Sequence, residues 1–209
     1  MPAAPDFYSA KDTEAMLSSS MGVASAATRS LAGKRQRAHG SDTDLALDLE
    51  RMAALRAFTA RSLRTARPRP FGASIVDTDS GDLLLRALNA VAQEFDPSAH
   101  AEVRAIRKAT KRLKRLSLAG YTLYTTCEPC PMCMSAALWS GLDRVVYGAT
   151  IADANRHCNQ IQIPAIEVAA RSDMSCVVDG PILHDECYAL FTHPRMLRAF
   201  SLWPTRKRS

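Results

Sequence analysis

The chain has 209 residues, 47% hydrophobic and 23% charged, enough for one medium domain with a sizeable core and too little for two comfortable ones. Lys and Arg number 27 against 21 acidic residues, a formal net charge of +6, which suits an anionic partner although clustered excess charge is usually a solvated face. No stretch approaches the roughly 20 apolar residues of a membrane span, and six cysteines without a secretory signal point to a reducing, cytoplasmic setting in which metal binding or catalysis outranks a disulfide framework.

Residues 1–40 show no sustained apolar periodicity and close on Lys34-Arg35-Gln36-Arg37. They are expected to be a disordered extension, with the folded domain over 41–209. Ser41 or Asp42 can cap a helix whose apolar positions Leu45, Leu49, Met52, Leu55 and Phe58 recur at three and four. Arg67-Pro68-Arg69-Pro70 argues its end, because a proline disfavours helix at the residue before it. Residues 71–76 and 83–88 read as strands about a polar turn, and Asp96-Pro97-Ser98 announces a helix over 99–116 that stops near Gly120.

Residues 121–125 then read as a β-rich run, 130–140 as a helix after Pro129, and 144–147 as another strand. A helix opening at Pro164, a short strand over 176–178 and a helix over 182–200 interrupted at Pro194 complete the pattern. Strands alternating with helices predict α/β layering, with helices on both faces of one sheet.

Two segments carry the chemistry, His100-Ala101-Glu102 and Pro129-Cys130-Pro131-Met132-Cys133. Cys130 and Cys133, one turn apart at a helix start, can aim both sulfurs at one zinc ion, and the helix N-terminus favours thiolates. His100, opening the other helix, supplies a third ligand, which is the protein ligand count of a catalytic zinc. Glu102 falls in the first turn behind it, close enough to move a proton beside the metal without ligating it. A structural zinc would need a fourth protein ligand. Cys127 extends the spacing toward an iron–sulfur run, but Ala137 and Leu138 stand where that run needs Cys and Pro.

The H-x-E and P-C-x-x-C pairing is the signature of zinc deaminases. With Pro70-Phe71-Gly72-Ala73, Asn89 and the stretch from Leu123 to Cys133, the chain resembles the cytidine-deaminase-fold superfamily, most closely its guanine deaminase and nucleoside deaminase branch. That resemblance implies a three-layer α-β-α fold around a mixed five-stranded sheet, with Zn2+ held by His100, Cys130 and Cys133. It further implies Glu102 as proton shuttle, and Asn89, Phe71 and Ala101 as substrate-binding residues. Deamination of guanine or guanosine is the first expectation, with a homodimer implied by the same likeness. Bacterial tRNA adenosine deaminases share the zinc motifs but carry Val at the place of Phe71 and another residue at that of Pro131. Guanine deaminases carry an Asp pair where Asn159-Gln160 stand here.

Two other readings stay open, a tRNA adenosine-to-inosine deaminase and a catalytically silent relative that binds RNA or a partner. The basic run Arg107, Lys108, Lys111, Arg112, Lys114, Arg115 supplies phosphate-seeking charge. It has no interleaved aromatic for base stacking, so RNA is the weaker partner reading. Phe191, Phe200 and Trp203 near the C-terminus could close a pocket over a small substrate.

Overall fold

The computed structural model describes residues 42–203; the extension expected over 1–40 and the tail Arg206-Lys207-Arg208 lie outside them. Helix α1 (Asp42–Ala60) runs into a 3-10 turn (Arg61–Arg64), then β1 (Gly72–Asp77), β2 (Leu83–Leu88), a single turn α2 (Val91–Glu94) and α3 (Ala101–Leu113). There follow β3 (Tyr121–Cys127), α4 (Pro131–Trp139), β4 (Arg144–Ala149), α5 (Ile151–Asn155), α6 (Ala165–Ala170), β5 (Val177–Asp179), α7 (His184–Thr192) and α8 (Pro194–Phe200). The strands form one five-stranded sheet in the order β2-β1-β3-β4-β5. β1 is antiparallel to β2 and β3, whereas β3, β4 and β5 run parallel, so the sheet is mixed, as expected.

Period-two alternation sorts the core into two halves. Ala73, Ile75, Leu123 and Val145 face α3, α4 and α6 with Ala105, Ala109, Met134 and Ala165. Their neighbours Val76, Tyr124 and Val146 face α1, α7 and α8 with Met52, Leu55, Phe191 and Met196. Helices therefore cover both sheet faces, the three-layer arrangement that α/β alternation predicts.

The apolar stripe expected on α1 is corrected by the structure. Met52 and Leu55 are buried and Phe58 is half-buried, but Leu45 and Leu49 are exposed. The inward face instead runs Asp48, Met52, Leu55, Thr59. Asp48 turns inward because Arg144 of β4 reaches it with two N–H groups at 2.8 and 2.6 Å. The Tyr124 hydroxyl of β3 donates to the same carboxylate at 2.6 Å. A buried carboxylate is tolerated when paired and fully hydrogen-bonded in this way.

Other boundaries shift by a few residues. α3 ends at Leu113 because Lys114 takes the left-handed conformation, φ 52°. The long C-terminal helix splits in two at His193, whose ring accepts from Arg195 N and caps α8 before Pro194. Helix α5, not expected from the sequence, starts with a capping box between Thr150 and Asp153.

Candidate metal centre and cavity

His100 and Cys130 are the N-caps of α3 and α4, both with extended backbone (φ near −65°, ψ 155° and 166°). An N-cap side chain leaves its helix at the electropositive end, among backbone N–H groups with no intrahelical partner. Pro131 occupies the first position of α4, where its missing N–H costs nothing, and Cys133 follows in the first turn. Both helix starts lie beyond the sheet edge where β3 ends at Cys127.

The three ligand atoms meet there. Cys130 Sγ lies 3.6 Å from His100 Nδ1 and 3.6 Å from Cys133 Sγ, and Cys133 Sγ lies 3.5 Å from His100 Nδ1. Tetrahedral zinc with Zn–S near 2.3 Å and Zn–N near 2.05 Å sets sulfurs about 3.8 Å apart and sulfur about 3.6 Å from nitrogen. The triangle thus fits zinc as it stands. The hydrogen bond from the Cys133 thiol, with that from His100, holds Cys130 down to about 4, so one thiolate is available at neutral pH. Cys127 is not part of the cluster. Its thiol donates to the Thr150 carbonyl at 3.7 Å, and burial pushes its pKa well up, which disposes of the iron–sulfur spacing.

Glu102, in the first turn of α3, is 5% exposed. Burial raises its pKa, partly opposed by His100, and its carboxylate accepts from the Thr125 hydroxyl of β3 at 3.3 Å. A buried carboxyl with a raised pKa is suited to taking and returning a proton near neutrality.

The metal cluster and Glu102 open on a cavity of ≈ 760 Å³ that Phe71 and Asn89 also line. Phe71 is held edge-on against Phe191, ring centroids 5.1 Å apart. Its segment is pinned by Thr126, which donates to Pro70 O at 2.8 Å and accepts from Gly72 N at 3.0 Å. Gly72 itself is required by Thr59, since a Cβ there would sit 2.0 Å from Thr59 Oγ1. The Asn89 side-chain oxygen accepts from Val91 N at 3.2 Å and starts α2; its amide still carries N–H donors. Ala101 is fully buried, its methyl in the core beneath the sheet. What it can offer a ligand is a backbone N–H in the first turn of α3.

The expected aromatic closure is divided. Phe200 and Trp203 line the cavity, packed edge to face at 5.0 Å, while Phe191 stands behind Phe71. His157 also faces the cavity and is hydrogen-bonded, Nε2 to Tyr188 Oη at 3.1 Å. Asn159 and Gln160 line the same wall. The basic run on α3 is exposed and lines no part of it.

Sequence reasoning missed three contributors. Glu128 is buried beside the ligands and accepts from Ile151 N at 3.0 Å and Ala165 N at 2.8 Å, tying the starts of α5 and α6 to the centre. The only signal was an acid wedged between Cys127 and Pro129. Arg67 and Arg69 line the cavity, although in the sequence they read as mere spacers of two helix-ending prolines.

Residues 47–149 match the family model of the cytidine and deoxycytidylate deaminase zinc-binding region. The chain is 48% identical over 85 residues to guanine deaminase of Bacillus subtilis; the match covers 41% of this chain and 53%, about half, of that enzyme. It is 36% identical over 118 residues to the tRNA-specific adenosine deaminase of the same bacterium, covering 56% of this chain and 70% of the relative. The solved structure of guanine deaminase from Nitrosomonas europaea shares the fold, with TM-score 0.58 at 23% identity, covering 82% of this chain and 100% of that one.

Proposed function

The chain belongs to the cytidine and deoxycytidylate deaminase zinc-binding family, and from that premise we propose that it hydrolyses the exocyclic amine of a purine-type nucleobase or nucleoside, guanine or guanosine first, releasing ammonia. The observation that carries the proposal is Glu102, buried beside a three-ligand centre at the head of a cavity. A purely structural zinc has no use for a buried proton carrier there. Guanine is favoured by the 48% identity over 85 residues to a guanine deaminase and by Phe71, an aromatic residue that lines the cavity.

His100, Cys130 and Cys133 would hold a zinc ion, which when bound would supply the Lewis acidity that activates water near neutral pH. Glu102 takes the proton released as water adds to the amine-bearing carbon and passes it to the neighbouring ring nitrogen. It then takes the proton of the new hydroxyl and delivers it to the departing amine, so that C–N breaks, the carbonyl forms and ammonia leaves neutral. Phe71 stacks on or against the base, and Asn89 and the Ala101 N–H offer donors to its acceptor atoms. Thr125 keeps the Glu102 carboxylate turned toward the centre. A homodimer belongs to the same reading, supported by exposed Trp139 and Ile163, which line a depression between α4 and α6.

The test is ammonia release by zinc-loaded protein on guanine, guanosine, adenine, adenosine, cytosine and a tRNA anticodon stem-loop, with Glu102→Ala as control. The expected result is turnover on guanine or guanosine, lost at least about 100-fold in Glu102→Ala, the usual scale of a general acid–base group, with zinc content unchanged. Turnover on the stem-loop alone would replace the substrate reading by tRNA editing. Activity surviving in a zinc-loaded Glu102→Ala protein would end the role given to that residue.

A further inference from the structure

The cavity is larger than a lone base requires, and two arginines are among the residues that line it. At ≈ 760 Å³ it lies in the upper part of the roughly 300–1,000 Å³ range of sites that enclose drug-sized ligands. One wall is the chain from Ala66 to Arg69, which brings two guanidinium groups to the same opening as Phe71 and Asn89. Arg69 donates from one terminal nitrogen to the Asn89 carbonyl at 3.0 Å, so it is fixed next to the residue placed on the base. Its Nε is buried with no hydrogen-bond partner.

Among the described residues neither Arg67 nor Arg69 is ion-paired. Burial, then the nearby positive charges of Arg104 and Arg67, lower the pKa of Arg69. Arg104 has its own carboxylate, Glu94, at 2.7 Å. The two carboxylates that line the cavity serve elsewhere, Glu102 at the metal centre and Glu128 on two backbone N–H groups. Arg69, part-buried with an unpartnered Nε, is best completed by an anion, and exposed Arg67 adds a second positive charge to the same lining. The fork of an arginine matches the oxygens of a phosphate.

We propose that Arg67 and Arg69 form an anion subsite for the phosphate of a nucleoside monophosphate, so that the amine-bearing base enters the cavity as part of a nucleotide. The inference rests on the deaminase reading above and extends its substrate from nucleoside to nucleotide. A polynucleotide fits the same wall less well. It needs a track of cations leading away from the site, but the basic run over 107–115 lines no part of the cavity. Phe200 and Trp203 also wall the cavity.

The experiment compares kcat/KM for guanine, guanosine, guanosine monophosphate and the anticodon stem-loop in the zinc-loaded full chain and in Arg67→Gln and Arg69→Lys. In parallel, calorimetry follows binding of inorganic phosphate to each protein. The expected result is a monophosphate preferred over the nucleoside by tenfold or more, with that ratio falling at least fivefold in Arg67→Gln, an exposed position that should fold normally. A monophosphate no better than the nucleoside, a preference kept in both variants, or turnover confined to the stem-loop would overturn the proposal. If nothing is turned over, the deaminase reading fails and phosphate decides alone. Binding weakened severalfold in Arg67→Gln supports the subsite, and no binding by the wild-type chain refutes it.

Discussion

At the scale of single residues, chemistry constrained the sequence most tightly where a metal was to be held. Three ligands of two types at two helix starts leave few alternatives, and His100, Cys130, Cys133 and Glu102 could be named as candidates because each must lie at an N-cap or in the turn behind it. Phe71 and Asn89 needed the likeness to relatives, since an aromatic before glycine and an asparagine after a strand are ordinary. Arg67 and Arg69 stayed invisible because two prolines already explained their segment. Gly72 shows a constraint of another kind, close approach without any special backbone angle. Gly72→Ala is expected to cost about 1–3 kcal/mol, the usual range for overpacking. The Cβ lands 2.0 Å from Thr59 Oγ1 and only 3.1 Å from Thr59 Cβ, so Thr59→Ala should recover part of that loss in urea unfolding. Equal stability of Gly72→Ala and wild type would remove the steric account of the Pro-Phe-Gly segment.

At the scale of elements, the type of nearly every long segment was legible and the burial of α1 was not. Periodicity in Leu45, Leu49 and Met52 marks a helix, but it cannot show that a carboxylate will outbid leucine for the inward face. That outcome depends on Arg144, 96 residues away in the chain. Asp48→Ala should therefore destabilise by about 3 kcal/mol, the lower range for breaking a buried pair, because Asp179 still contacts Arg144; a loss under 0.5 kcal/mol in chemical denaturation would contradict it. A second tie joins α5 to α7, where Asp153 Oδ2 lies 2.7 Å from His184 Nε2 and Asp185 Oδ1 lies 2.8 Å from His184 Nδ1. Asp185 and then Asp153 raise the pKa of His184. Burial pushes Asp153 up, but Thr150 and His184 outweigh it and leave it lowered. The histidine's contribution is complete below its unfolded value near 6.5 and is lost as pH rises through the raised folded value. The Asp153 contribution is present above its unfolded value and lost as pH falls through the lowered one. The Tm advantage of wild type over His184→Gln should thus shrink between pH 6 and pH 8.5; an advantage that grows would invert the assignment.

At the scale of the whole molecule, the α/β layering followed from alternating segments, but strand order did not. Nothing local says that β1 inserts between β2 and β3, or that β3 becomes the central strand beneath the metal ligands. The centre joins two helices whose starts are 30 residues apart in the chain, so metal binding is also folding energy. Removing zinc by chelation should lower the Tm and restore it on re-addition, and Cys133→Ala should abolish that response; a melting curve indifferent to chelator would mean that α3 and α4 hold without the ion. The cavity itself has two kinds of wall. Its head is cut from helix starts packed on the central sheet, while its sides come from a proline-arginine connector and from α8 with the residues just after it. These parts can drift at different rates under selection. A lineage could rewrite the connector and the C-terminal helix, reshape the cavity, and inherit the metal centre untouched.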